Sequence, residues 1–211
     1  MFRRQHLLVS LSVALVTAAL ASGCKDDVQA TPRVTFDSST ALGKHTSKEC
    51  TQVGTWFKIG SFGNPNLGHE GKLPDGTDDP ASPLKDPVKP VDDGGDDQQG
   101  KASVSCSVIE SGDGFDVALH AELTGATGGA MTITGRILRA VESKGVSAAL
   151  TRKGETYSGA GNCTVTFNTA VGHAIAAGRV WAKLECPDAE LPSQQRVCAT
   201  NAEFRFENCS Q

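Results

Sequence analysis

Residues 101–123 of the chain are KASVSCSVIESGDGFDVALHAEL. In the first half Val104, Cys106 and Val108 alternate with serines, and after the glycines apolar residues again occupy every second position. A period of two is typical of a half-buried β-strand, because successive side chains point to opposite faces of the sheet. Ser111-Gly112-Asp113-Gly114 separates the two runs, and its glycines supply the positive φ of a tight turn. This stretch therefore predicts a β-hairpin.

The same alternation recurs along the rest of the chain, in short runs separated mostly by glycine-rich segments. These runs are Val34 to Phe36, Cys50 to Phe62, Met131 to Ile137, Val146 to Leu150, Cys163 to Phe167, Val180 to Cys186 and Phe204 to Phe206. The only helix candidate, Arg139 to Lys144, is too short and has no cap. Several short strands without helical crossovers predict an all-β protein, a disulfide-stapled β-sandwich or jelly roll.

Between residues 64 and 100 the composition changes to proline and aspartate with almost no apolar residues. Such a segment buries too little surface to offset its ordering entropy, so we expect a long exposed loop or disordered insertion. It would interrupt a single domain that spans residues 34–211. The aspartates and glycines of residues 75–79 and 92–97 offer calcium ligands, but without the spacing of an EF-hand loop. We expect a solvated acidic run, with weak divalent-cation binding as the alternative.

The composition and the absence of familiar motifs limit the possible functions. The 211 residues carry 20 Lys and Arg against 24 Asp and Glu, a net charge of −4, which argues against a nucleic-acid partner. The chain has no phosphate-binding loop, His-Glu-x-x-His, Gly-x-Ser-x-Gly or Cys-x-x-Cys motif, so we expect no enzyme activity, no cofactor and no metal site. Its widely spaced histidines are expected to be exposed or capping polar residues. They are His45, His69, His120 and His173.

The N-terminus has the pattern of a secretory signal. Arg3 and Arg4 precede the apolar run Leu7 to Leu20, which is too short for a bilayer core of roughly 30 Å. The next residues, Ala21-Ser22-Gly23-Cys24, resemble the lipobox of bacterial lipoproteins. This resemblance implies that residues 1–23 are a cleaved signal peptide. It also implies that the Cys24 sulfur carries a diacylglyceryl group and that the new N-terminus is acylated, for example with palmitate.

The same resemblance implies where the protein is held. Residues 24–33 would form a lipidated tether, and several acyl chains make membrane attachment stable. The membrane is therefore the expected partner, through the N-terminal lipid anchor. Lipoproteins of this kind are often retained at the inner membrane by an aspartate after the cysteine, whereas this chain has Lys25. We expect the outer membrane or the cell surface.

Beyond Cys24, an even number of cysteines remains for an oxidising compartment, which predicts disulfides. They are Cys50, Cys106, Cys163, Cys186, Cys198 and Cys209. Six cysteines permit 15 connectivities. Local geometry favours Cys186–Cys198, Cys163–Cys209 and Cys50–Cys106. The alternative joins Cys163 to Cys186 across a hairpin, in a register that places Val165 opposite Leu184.

The sequence thus predicts a non-enzymatic surface lipoprotein that acts as a structural or binding module of the envelope. Its protein or glycan partner is not identified by any motif. The alternative is a carbohydrate- or divalent-cation-binding module. A sugar site needs an exposed aromatic platform, for which the large candidates besides phenylalanine are Trp56, Trp181 and Tyr157. Trp181 is out of phase with the inward-facing run of its strand, so we expect it to face outward.

Overall fold

The computed structural model of the chain describes residues 30–41, 53–63, 88–125 and 128–211. These residues form twelve β-strands and two 3₁₀ helices, at Thr169–Val171 and Pro192–Gln194, and contain no α-helix. The strands are β1 (Arg33–Ala41), β2 (Val53–Ile59), β3 (Val91–Asp92), β4 (Asp96–Asp97), β5 (Gly100–Ser111), β6 (Gly114–Thr124), β7 (Gly129–Leu138), β8 (Glu142–Arg152), β9 (Glu155–Thr166), β10 (Ala174–Ala176), β11 (Arg179–Leu191) and β12 (Arg196–Glu207). The all-β prediction is confirmed.

The twelve strands belong to one sheet, in which the order is β2-β1-β12-β11-β9-β8-β7-β6-β5-β4. β10 pairs with β11, and β3 pairs with β1. Every pairing between these strands is antiparallel, and strands consecutive in sequence are mostly neighbours. The sequence prediction of a sandwich or jelly roll is not confirmed by this arrangement, which is a single sheet that nearly closes on itself.

A short hairpin helps to close the sheet. β3 pairs with the start of β1, and β4 pairs with the start of β5. Between them, the Asp93 N–H donates to the Pro32 carbonyl at 2.8 Å, and the Gly94 N–H donates to the Ala102 carbonyl at 2.9 Å. The hairpin therefore links the β1 side of the sheet to the β5 side, and backbone groups that would otherwise be open at these edges are paired.

The C-terminal residues also pair with β5, farther along the strand than the β3–β4 hairpin. The Ser210 N–H donates to the Cys106 carbonyl, and the Val108 N–H donates to the Ser210 carbonyl, both at 2.9 Å. The Gly178 N–H, at the turn before β11, donates to the Val108 carbonyl at 3.0 Å. The segment after β12 thus binds directly to β5, at the far end of the strand order.

The predicted acidic insertion is partly an ordered element. Residues 64–87 lie outside the described part of the chain, but residues 91–100 contain β3, β4 and the start of β5. These residues are mostly exposed, as predicted, but they form paired strands in place of a loop or disordered segment. Asp93 Oδ1 accepts the Val104 N–H at 2.8 Å, and Asp97 Oδ2 accepts the Gly60 N–H at 2.7 Å. The aspartates satisfy backbone donors at the closure, which is a tertiary role that local composition does not reveal.

The hairpin predicted from residues 101–123 is confirmed. β5 ends at Ser111, β6 begins at Gly114, and Gly112 has a φ of +57°. Along both strands the apolar side chains are buried on one face, as the alternation indicates, and only Ile109 and Ala118 lie exposed on the other. The same inward face carries Phe36, Phe204 and other fully buried side chains of the core.

The disulfides differ from the favoured connectivity. Cys106 is bonded to Cys209, and Cys163 is bonded to Cys186. The favoured pairs Cys186–Cys198, Cys163–Cys209 and Cys50–Cys106 are therefore wrong. The alternative, Cys163 with Cys186, is confirmed together with its register, in which Val165 faces Leu184. The reason for the error is the closure, because the chain after β12 turns towards β5 and not towards β9.

Cys198 is also disulfide-bonded. Cys24 and Cys50 lie outside the described residues. Beside the Cys163–Cys186 bond, a Cβ atom at Gly159 would lie 2.4 Å from the Cys163 sulfur. Glycine at this position therefore lets the backbone approach the disulfide closely.

Candidate functional site around Trp181

Trp181 lies on the outer face of β11 and is half-buried, while its neighbours Val180 and Ala182 are buried on the inner face. The outward orientation expected from the phase of the strand is confirmed. Phe62 stacks on the indole at a centroid distance of 6.1 Å and an interplanar angle of 14°. The Arg205 guanidinium lies 5.2 Å from the ring centroid as a cation–π contact. The indole is thus held by its neighbours and borders solvent only in part.

Glu203 on β12 fixes the polar edge of the indole. Its Oε1 accepts the Trp181 Nε1–H at 2.9 Å and lies 3.2 Å from His173 Nε2. Burial by itself raises the pKa of Glu203, but the hydrogen bonds from His173 and Trp181 outweigh it, so the pKa lies below its ordinary value. Glu203 is therefore an ionised acceptor shared by two side chains.

His173 contacts both Trp181 and Glu203 from a buried position. Its side chain is completely buried, and its ring packs at 5.3 Å, tilted, against Trp181. Nδ1 accepts the Asn168 N–H at 3.2 Å, which assigns the proton to Nε2 and makes Nε2 the donor to Glu203. His173 is therefore buried and not exposed, whereas the capping alternative holds, because its ring accepts the backbone N–H of Asn168.

A pocket of about 260 Å³ lies next to Trp181. It is lined by Gly172, Ala174, Arg179, Val180, Trp181, Arg205, Phe206 and Glu207. Arg205 Nη2 donates to Glu207 Oε1 at 2.9 Å, and Arg33 Nε lies 2.9 Å from Glu207 Oε2 as an ion pair. Burial raises the pKa of Glu207, but the hydrogen bond and charge of Arg205, followed by those of Arg33, lower it below its ordinary value.

Arg179, the first residue of β11, is the exposed cation of the pocket wall. Its side chain makes no hydrogen bond or ion pair with the described residues. Arg205, in contrast, is engaged with Glu207 and with the Trp181 ring. The pocket therefore combines an aromatic wall, a neutralised carboxylate and one guanidinium that faces solvent.

A second concavity, of about 290 Å³, lies on the outer face of β5, β6 and β7 around His120. His120 faces outward, as expected from its phase, with Nδ1 3.2 Å from Thr132 Oγ1 and Nε2 3.9 Å from Glu122. Its walls are mostly small side chains such as Ser105 and Thr134. No phenylalanine, tyrosine or tryptophan side chain lines this groove.

Of the other candidates from the sequence, neither Tyr157 nor His120 joins the site around Trp181. Tyr157 is buried and offers no platform. His45 and His69 lie outside the described residues, and nothing is described of the Trp56 side chain. Within the described ranges, no group of three His, Cys, Asp or Glu side chains is placed to hold a metal ion.

Sequence reasoning missed the partners of Trp181. Glu203 and Arg205 occupy alternate outward positions of β12, but their role depends on the register that places Trp181 opposite Arg205. Phe62 reaches the site from beyond β2, which pairs with β1 and not with β11. The alternation of β12 could have shown that Glu203 and Arg205 face outward, but not which side chains they meet.

Comparison of the chain with protein-family models, with curated proteins and with solved structures found no match. In the part of the chain that the structure describes, no helix is long and apolar enough to cross a membrane.

Replacing Glu203 by glutamine should reduce the free energy of unfolding at pH 7 by about 1–3 kcal/mol, because a charged acceptor of two N–H groups is lost. The folded pKa of Glu203 is depressed, so its stabilising contribution is present above the unfolded pKa, about 4.5, and is lost as the pH falls through the folded value. Urea unfolding at pH 7 and pH 3 should therefore show the difference between wild type and Glu203→Gln shrinking in acid.

The matched control is Glu185→Gln, since Glu185 is an exposed outward residue of β11 away from this cluster. It should change stability by less than about 0.5 kcal/mol. An equal loss of stability for both variants at pH 7 would contradict the role assigned to Glu203.

Proposed function

We propose that the chain is an envelope lipoprotein, anchored through lipid at Cys24, that acts as a non-enzymatic binding module. Its ligand site would be the pocket beside Trp181. The lipobox-like Ala21-Ser22-Gly23-Cys24 supports the anchor, and the disulfides suit a protein of an oxidising compartment. The anchor would hold the domain at the outer membrane or the cell surface, with the membrane as its partner.

The observation that carries the binding proposal is the immobilised outward tryptophan beside a concave surface. Glu203 holds the indole N–H, and Phe62 and Arg205 contact the ring. A side chain fixed before binding loses little conformational entropy when a ligand arrives, so it can contribute its apolar surface at low cost. Aromatic side chains of this kind are favoured contact residues in binding sites.

Binding is favoured over catalysis by how the titratable groups are used. Both ring nitrogens of His173 are engaged, one with the Asn168 N–H and one with Glu203. Glu203 in turn accepts two N–H groups through one oxygen. A general base needs a nitrogen or oxygen within reach of a substrate proton, and His173 is completely buried. We therefore assign these groups to holding Trp181 in place.

Among the ligand classes, the aromatic wall favours a carbohydrate, which is the second prediction from the sequence. Divalent-cation binding stays a prediction, since the described residues contain no group of three His, Cys, Asp or Glu side chains placed to hold a metal ion. The sandwich or jelly roll also stays a prediction. It would hold if the near-closed sheet consisted of two halves packed face to face.

The test is a fluorescence and thermal-shift titration of the full chain in detergent against neutral, amino and acidic monosaccharides. We expect at least one class to raise the melting temperature of the wild type and to change its tryptophan emission. Trp181→Ala should abolish the shift. His120→Ala, which alters the other concavity, should retain it. Binding that survives Trp181→Ala but is lost in His120→Ala would move the site to the His120 groove.

A further inference from the structure

The geometry points to an acidic sugar as the ligand of the pocket beside Trp181: one sugar ring whose carboxylate is bound by Arg179. This inference rests on the proposed binding function and specifies its chemistry. It follows from the charges around the pocket, from its size and from the character of its walls.

The charges around the pocket leave one cation available to a ligand. Glu207 lies between two arginines, with contacts of 2.9 Å to Arg205 and to Arg33. Glu203, behind Trp181, is occupied by its own two N–H donors. The Arg179 side chain remains without a hydrogen bond or ion pair among the described residues. A bound anion would pair with the positive charge of Arg179, whereas a bound cation would be repelled by it.

The form of this cation specifies the anion. A guanidinium presents parallel N–H groups that match the two oxygens of a carboxylate, so a bidentate contact gives orientation as well as affinity. Arg179 is exposed and stands at the start of β11, so its side chain can turn towards a group in the pocket. The protein carries a net charge of −4, so general electrostatic attraction does not account for anion binding, and the local arginine must supply it.

The size and walls of the pocket specify the rest of the ligand. Its volume of about 260 Å³ lies below the roughly 300–1,000 Å³ of sites for drug-sized molecules, so it takes one ring-sized group. The indole of Trp181 forms one wall, and Ala174 adds apolar surface. Phe62 and Arg205 already contact the indole, so a ligand meets only the part of Trp181 that lines the pocket. A sugar ring has apolar C–H groups for that part of the indole and a carboxylate for the Arg179 guanidinium.

The experiment uses the full chain in detergent and measures binding of sodium D-glucuronate, D-glucose and sodium acetate by calorimetry. Glucuronate carries the ring and the carboxylate, glucose carries the ring alone, and acetate carries the carboxylate alone. We expect glucuronate to bind at least about tenfold more tightly than either fragment. Arg179→Gln should weaken glucuronate binding about tenfold and leave glucose binding unchanged.

Two variants make this result specific. Arg179→Lys keeps the charge but not the planar fork, so it should give an intermediate affinity. Lys101→Gln removes one positive charge at an exposed residue that does not line the pocket, and it should bind glucuronate within about twofold of the wild type. Because Arg179 is exposed, its variants should melt at the wild-type temperature, and this is checked in the same samples.

The outcomes separate the two proposals. If glucose binds as tightly as glucuronate, with binding lost in Trp181→Ala but not in Arg179→Gln, the acidic class is overturned and the binding function stands. If acetate binds as tightly as glucuronate, the sugar ring is overturned. If neither sugar binds in a way that depends on Trp181, both the ligand class and the proposed function of the pocket are overturned.

Discussion

Replacing Cys106 and Cys209 together by alanine should lower the free energy of unfolding by about 5 kcal/mol in the chain-entropy estimate. The two cysteines are 103 residues apart, so their bond restricts the unfolded chain over half its length. In the folded state the bond also holds the C-terminal segment against β5, where the sheet closes. Urea unfolding followed by circular dichroism measures the loss.

The matched control is the double alanine variant at Cys163 and Cys186. These cysteines are 23 residues apart and join neighbouring strands, so the same estimate gives about 3 kcal/mol. The closure account predicts the larger loss for the Cys106–Cys209 pair. A larger loss for the Cys163–Cys186 pair would mean that the bond between β5 and the C-terminus adds little to the fold.

Phe204→Ala should cost about 3–5 kcal/mol of unfolding free energy, because it removes a large side chain from the closed interior. Phe204 is fully buried, lies opposite Phe36 on β1 and opposite Ala182 on β11, and sits in a core with many Ala and Val residues. Small neighbours on a paired sheet cannot move inward to fill the cavity.

Chemical denaturation compares this variant with Phe204→Leu, which keeps most of the volume and should cost less than about 1.5 kcal/mol. A loss below 1 kcal/mol for the alanine variant would contradict the burial of Phe204 and the register of β12 between β1 and β11.

The alternation of apolar and polar residues predicts the individual strands, but not how the sheet closes. The inward and outward faces of β5 and β6 follow from a period of two, and the turn at Gly112 follows from its glycines. The closure does not follow, because it depends on contacts between Ser210 and Cys106, residues about half the chain apart. The same long-range contact decides the pairing of Cys209, which local geometry assigned wrongly.

The candidate site around Trp181 could likewise be predicted from the sequence only in part. The phase of β11 places Trp181 outward, and this prediction is correct. Its partners Glu203 and Arg205 depend on the register between β11 and β12, which single-strand patterns do not fix. The burial of His173 depends on a short segment that folds back over the sheet, and an isolated histidine in a turn gives no local sign of it.

The central claim is that the protein is a lipid-anchored module stabilised by disulfides. It is tested most directly by intact-mass spectrometry of the protein extracted from membranes, with thiols alkylated before and after reduction. We predict a chain that begins at Cys24 and carries the mass of a diacylglyceryl group and an acyl chain, with no thiol alkylated before reduction and six after it. Cys24→Ala should lose the lipid mass. A chain that retains residues 1–23, a Cys24 without lipid, or two or more thiols alkylated without reduction would contradict it.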